Sequence, residues 1–237
     1  MDLVGRTVTS VASVGKHLLM RFDDGSSLHT HFLMDGSWHL YSPGTRWAGP
    51  DHQVRAVLAV ADRVAVGFRL HQLRLVPTAD EDRVVGHLGP DLLGDGWGPE
   101  LEAESVRRLT AAPDRELGQA LGDQRIMAGL GNLYRTELCF LLGVSPWVPV
   151  STVDAAATVR LGRDLLLRNA HRPQQSTTGA LGRGAQHWVF ERAGLPCRRC
   201  GSHIRTALQG PGHRARITYV CTTCQPGPHP PRSGRRR

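Results

Sequence analysis

Cys197-Arg198-Arg199-Cys200, then twenty residues, then Cys221-Thr222-Thr223-Cys224: this stretch decides how the C-terminal part of the chain folds. Each Cys-x-x-Cys sets two thiolates on one tight knuckle. Two knuckles supply the four corners of a zinc tetrahedron, with sulfur about 2.3 Å from the ion. Two disulfides or a redox dithiol are the rival readings. Disulfides need an oxidising compartment, and Met1-Asp2-Leu3-Val4-Gly5 lacks the basic-then-apolar start of a secretory signal. A redox pair would not need a partner pair at ribbon spacing. The expectation is one structural zinc ion on Cys197, Cys200, Cys221 and Cys224. Between the pairs, Arg216-Ile217-Thr218-Tyr219-Val220 reads as a strand and Gln209-Gly210-Pro211-Gly212 as a turn, so the module is a β-ribbon. About thirty residues cannot build their own core, and metal binding supplies much of their folding free energy. The fifth cysteine, Cys139, stands in an apolar helical stretch and reads as a packing residue.

Upstream of the ribbon the pattern is helical. Pro99 stands where a first-turn proline would, followed by Glu100, Glu102 and Glu104, an acidic helix start. Ser151-x-x-Asp154 resembles a capping box, with Val153, Ala157, Leu161 and Leu165 recurring at helical spacing behind it. Between two helices lies Ala128-Gly129-Leu130-Gly131-Asn132-Leu133-Tyr134. Its glycines permit a tight turn and close approach, and Asn132 is a good N-cap for a helix through Leu142. Amides at such a start form a phosphate cradle. The first ninety or so residues read as antiparallel strands: His17–Phe22, the turn Asp24-Gly25, Ser27–Leu33, then Val54–Val60 and Arg63–Leu70 around Ala61-Asp62. The expected class is α+β: an antiparallel β-sandwich over 1–85, a Gly/Pro-rich linker over 86–98, helices over 99–190, a zinc finger over 191–225 and a disordered basic tail over 226–237.

The 237 residues are 40% hydrophobic and 21% charged, an ordinary globular composition that excludes a wholly disordered chain. No run approaches the ~18 apolar residues of a membrane helix, so the expectation is a soluble, cytoplasmic protein with no membrane partner. The formal net charge of +8 points to a polyanionic partner. Part of that excess sits in Arg232, Arg235, Arg236 and Arg237. Lys16 is the sole lysine. A GC-rich genome explains the arginine bias, yet the one lysine is the one side-chain amine that can give up a proton.

Taken in order, these motifs resemble the formamidopyrimidine-DNA glycosylase / endonuclease VIII family of base-excision repair enzymes, on its endonuclease VIII side. Gly15-Lys16-His17-Leu18-Leu19 is similar to the family's lysine-bearing strand, and His31-Phe32-Leu33-Met34-Asp35-Gly36-Ser37-Trp38 to its His-x-x-Met-x-Gly strand and loop. Leu88-Gly89-Pro90-Asp91 resembles the interdomain link, and Asp123 to Trp147 the helix–two-turns–helix element. Val189 to Gln225 resembles the zinc finger.

The resemblance implies a monomeric enzyme on double-stranded DNA that removes oxidised bases and cleaves the abasic site by β,δ-elimination. It implies that Lys16 assists at the sugar-phosphate, that Asn132 and Arg216 grip flanking phosphates from two domains, and that Met34 wedges into the gap left by the flipped base. Glu137 is expected to brace the two-turn element. His29 and His31 read as strand histidines, His31 supporting the Met34 loop. The family's nucleophile is an N-terminal proline followed by a glutamate, and Lys16 lies so near Met1 that the segment carrying them is expected to be missing. An alternative is therefore a damaged-DNA-binding protein impaired in catalysis. A zinc-ribbon RNA or transcription factor explains the charge and cysteines but not the glycine turn, lysine strand and Met34 loop together.

Overall fold

The computed structural model describes residues 2–33 and 35–230. They divide into two compact units, one through His87 and the other from Leu88.

The first unit contains β1 (Val8–Val14), β2 (His17–Phe22), β3 (Ser26–His31), β4 (Ser37–Tyr41), β5 (Val54–Ala59), β6 (Val64–Phe68), β7 (Gln72–Pro77) and a short α1 (Asp82–Val85). They form two antiparallel sheets, ordered β1-β2-β3-β7 and β4-β6-β5. Tight turns at Gly15 and Gly25, both at positive φ, connect the first three strands. Leu19, Phe22, Leu28, Val66, Phe68 and Leu70 are buried, each contributing about 1.5–3 kcal/mol relative to exposure. The Trp38 indole N–H donates to Thr30 Oγ1 at 3.3 Å, tying β4 to β3. Arg21 clamps the Glu81 carboxylate at 2.8 and 2.7 Å, and Ser27 Oγ donates to it at 2.6 Å. The Arg21 contact is the main reason that the Glu81 carboxyl sits below its ordinary pKa.

The second unit contains α2 (Pro99–Thr110), α3 (Leu117–Gly122), α4 (Asn132–Leu141), α5 (Ala155–Leu167) and the ribbon strands β8 (Arg205–Gln209) and β9 (Arg216–Val220). Its core joins Leu109 of α2, Leu117 and Leu121 of α3, Leu138 and Cys139 of α4, and Val159 and Leu165 of α5. Pro99 does open α2. At α5 the cap is Asp154, whose side chain accepts the Ala157 amide at 2.9 Å. Ser151, expected to share a capping box, lies instead in the 3-10 turn Val150–Thr152. No helix among the described residues is long and apolar enough to cross a membrane.

Candidate nucleic-acid interface and metal centre

The four ribbon cysteines converge as their spacing requires. Their sulfurs all lie within 4.8 Å of one another, with Cys197–Cys224 at 3.9 Å and Cys200–Cys221 at 3.4 Å. Sulfurs placed tetrahedrally 2.3 Å from one ion would be about 3.8 Å apart, so the donor set fits zinc. All five cysteines are free thiols. The Arg199 amide donates to Cys197 Sγ at 3.4 Å, which holds the first knuckle. Gln225, fully buried, accepts the Cys221 amide at 2.9 Å and donates to Val144 O at 3.0 Å, pinning the second knuckle to the end of the helical layer. Cys139 is fully buried, and burial pushes its thiol up to about 12.

The turn before α4 is built around Gln124. Its side chain accepts the Gly129 amide at 3.1 Å and donates to Leu130 O at 2.7 Å, while Gly129 takes φ +109°, which a glycine adopts without strain. Asp123, just upstream, accepts from Arg125 and Arg115, and these contacts hold its carboxyl far below the ordinary range.

Asn132 is not the cap that the sequence predicts. Gly131, in extended conformation, occupies that position and Asn132 is the first residue of α4. Its side chain is drawn away by the ribbon: Nδ2 donates to Ile217 O at 2.9 Å, and Oδ1 accepts from Arg135 Nε at 2.8 Å. One Nδ2 hydrogen therefore remains for a ligand.

Asn132 and Arg216 lie within one compact unit. The carbonyl that anchors Asn132 belongs to Ile217, the residue after Arg216. The start of α4 is thus hydrogen-bonded to the ribbon strand that carries Arg216.

Arg135 was not anticipated. It is 6% exposed and donates to Asn132 Oδ1, Gly118 O, Gln209 Oε1 and Thr218 Oγ1, all uncharged acceptors. Its pKa is lowered first by burial, and the nearby Arg216 charge acts in the same direction. Arg216 is exposed and bonds only to the carbonyls of Arg214 and Ala215, with no carboxylate partner among the described residues. Two guanidiniums with no carboxylate bonded to either leave this corner positive, a place for an anion. The only sequence hint of Arg135 was its position one turn beyond Asn132.

Glu137 is a brace. Wholly buried, it accepts the amides of Trp188, Val189 and Phe190 at 2.8, 2.7 and 2.8 Å, and the Thr177 hydroxyl. It ties α4 to the segment that leads into the four-cysteine ribbon.

In the first unit, Lys16 occupies the turn between β1 and β2. His31 Nδ1 accepts the Leu33 amide at 3.1 Å, supporting the start of the following loop. Met34 itself lies outside the described residues, as does the arginine tail from 231 onward.

A helical layer bonded to a ribbon whose four cysteines fit one metal ion defines a class: small helical units stapled to a cysteine ribbon. Comparisons narrow it. Residues 1–76 match the formamidopyrimidine-DNA glycosylase N-terminal domain. A probable endonuclease 8 2 of Streptomyces coelicolor is 52% identical over 239 residues, covering 99% of this chain and 85% of that protein. A DNA-(apurinic or apyrimidinic site) lyase, Nei2, of Mycolicibacterium smegmatis is 44% identical over 226 residues, covering 95% and 85%. The crystal structure of MutM (Fpg) from Thermus thermophilus superposes with a TM-score of 0.74 at 27% identity, covering 94% and 85%. The chain belongs to the formamidopyrimidine-DNA glycosylase / endonuclease VIII family, the DNA glycosylases and abasic-site lyases of base-excision repair.

Proposed function

We propose that this chain excises oxidised bases from double-stranded DNA and cleaves the resulting abasic site by β,δ-elimination, acting as a monomer in the cytoplasm on nucleoid DNA. The observation that carries the reading is 52% identity across nearly the whole chain to an endonuclease 8 relative. The positive corner at Asn132, Arg135 and Arg216 supports it from the structure.

In this reading an amine attacks C1′ of the damaged nucleotide and the base leaves. The iminium so formed acidifies the neighbouring carbon for elimination of the phosphates. Lys16 sets its ammonium on the sugar-phosphate and assists by charge or proton transfer. Asn132 gives its remaining amide hydrogen, and Arg216 its guanidinium, to phosphates flanking the lesion, and these contacts offset the few kcal/mol that nucleotide flipping costs. Met34 fills the gap in the stack. One zinc ion on Cys197, Cys200, Cys221 and Cys224 would supply a rigid staple for the strand that carries Arg216, and no chemical step.

Borohydride trapping on an abasic-site duplex tests the reading. The parent chain is expected to form a covalent adduct weakly or only through Lys16. Since Lys16 is the only lysine, Lys16→Ala leaves the α-amine as the one group able to trap. A parent that binds abasic DNA but never traps would make it a binding protein rather than a lyase. Replacement of Arg216 by alanine is expected to weaken binding of all duplexes alike and to reduce the salt slope by about one. Unchanged affinity and slope would remove Arg216 from the interface.

A further inference from the structure

Strands β2 and β3 gather three histidines next to the turn that bears Lys16. His17 and His31 are cross-strand partners, with ring centroids 4.5 Å apart. His17 stacks on His29 at 5.0 Å, and its Nδ1 lies 2.7 Å from His29 Nε2. His87 meets His17 edge-on at 6.1 Å. Burial depresses the basicity of His17, His29 and His31, and takes His17 down to about 4. Lys16 beside His17 and His31, and Arg74 beside His29, push the same way, and neighbouring histidine rings further disfavour a second proton on His17 and His31. At pH 7 these three rings are neutral, each with one N–H.

Hydrogen bonds decide which nitrogen carries it. His31 Nδ1 accepts the Leu33 amide, so its proton is on Nε2. His29 is 2% exposed, and its Nδ1 is buried without a partner. A buried N–H lacking an acceptor is rarer than an unsatisfied acceptor, so the His29 proton sits on Nε2 and is donated to His17 Nδ1. Accepting there, neutral His17 must carry its own proton on Nε2, on a ring that is only partly buried.

We propose that His17 donates an Nε2–H hydrogen bond to an oxygen of the deoxyribose-phosphate strand beside Lys16, and that His29 is the positioning residue that sets the His17 tautomer. This rests on the reading of Lys16 as a sugar-phosphate contact. The two neighbours then divide the work by chemistry. Lys16 supplies charge, whose contribution fades with salt. His17 supplies direction through an uncharged bond that releases no counterion.

The test uses the full, zinc-loaded chain labelled with 15N-histidine. Ring-nitrogen spectra are expected to place the protons of both His17 and His29 on Nε2; a His17 proton on Nδ1 would overturn the assignment. Binding is then measured on a duplex holding tetrahydrofuran in place of an abasic sugar. His17→Phe, which keeps an aromatic ring but no donor, is expected to bind about fivefold more weakly with an unchanged salt slope, as one lost neutral hydrogen bond implies. His17→Gln, whose amide restores a donor, is expected to recover most of that loss. His29→Phe is expected to leave His17 a mixture of tautomers and to weaken binding by a smaller factor. Should His17→Phe bind as the parent does, the donor role falls while the repair reading stands. A parent that ignored the duplex altogether would sink both.

Discussion

A chain carrying Cys221→Ser is expected to arrive without its metal, to lose the order of its ribbon and to bind an abasic-site duplex at least about 100-fold more weakly, since the two proposed phosphate contacts of Asn132 and Arg216 both depend on the ribbon. The buried residues of the apolar cluster beneath the ribbon are Phe140, Val189, Cys197, Ile204 and Cys221, and two of those five belong to the four-cysteine set. Strands β8 and β9 are five residues each, and a two-stranded hairpin of that size is marginal in water. A structural zinc site in a small finger contributes about 10–16 kcal/mol of apparent binding energy at neutral pH, which is folding energy. Without it, Arg216 and the Ile217 carbonyl that anchors Asn132 have no fixed place, so both proposed phosphate contacts would go together. Metal analysis, amide spectra of the second unit and duplex titration check the three losses separately. Chelation of the parent should expose four fast-reacting thiols, with the fifth appearing only on denaturation, because Cys139 is fully buried and its thiol is held protonated. A metal-free chain with an intact ribbon and full affinity would refute the staple.

How much of this was legible before the structure depended on the range of the determining contacts. Strands β2 and β9 matched their predicted bounds, since each is a short apolar run closed by turn residues or by a knuckle. Helix α2 began at Pro99 because its start is written in adjacent residues. By contrast β1 is mostly exposed along its length, and β4 is a mixed polar strand, so neither shows an alternating burial pattern to read. Helix α3 is six residues with two glycines and is buried nearly all round, so it lacks a polar face to mark its period. The four-cysteine cluster is readable because four identical residues at fixed spacing carry their own chemistry. The sequence places Asn132 at the N-cap and misses its bond to the ribbon, because its partner is a carbonyl 85 positions away. Arg135 was missed for the same reason: Thr218 and Gln209 reach it only once β8 and β9 are docked. His17 joins His29 and His31 only through the register of β2 with β3, which no local pattern states.

Substitution of Glu137 by alanine is expected to be the most damaging single change in the helical layer. The side chain is fully buried and answers three consecutive backbone amides, those of Trp188, Val189 and Phe190, together with the Thr177 hydroxyl. An alanine leaves the three amides without a partner in a dry site, at about 1–3 kcal/mol for each, while the Thr177 hydroxyl keeps the Gln186 carbonyl at 3.3 Å. Non-additivity and entry of water keep the total below the sum, so a loss of about 3–5 kcal/mol is the expectation. For a layer of this size that lowers the melting temperature by roughly 10 °C. Glu137→Gln retains one carbonyl acceptor but brings an amide that cannot accept, and should fall between the two. The damage must also travel. Phe140 of α4 stacks on Trp188 at 5.5 Å, and Arg199, inside the first knuckle, lies 4.4 Å over the Phe140 ring. Freeing residues 188–190 therefore loosens the seat of the zinc finger while the four sulfurs keep their ion. The expected signature is a chain that retains metal, melts early and binds duplex weakly, with trapping on abasic DNA reduced in proportion to binding. An alanine variant that melted with the parent would mean that these amides find other acceptors, and Glu137 would no longer account for how the helix turn and the ribbon are held together.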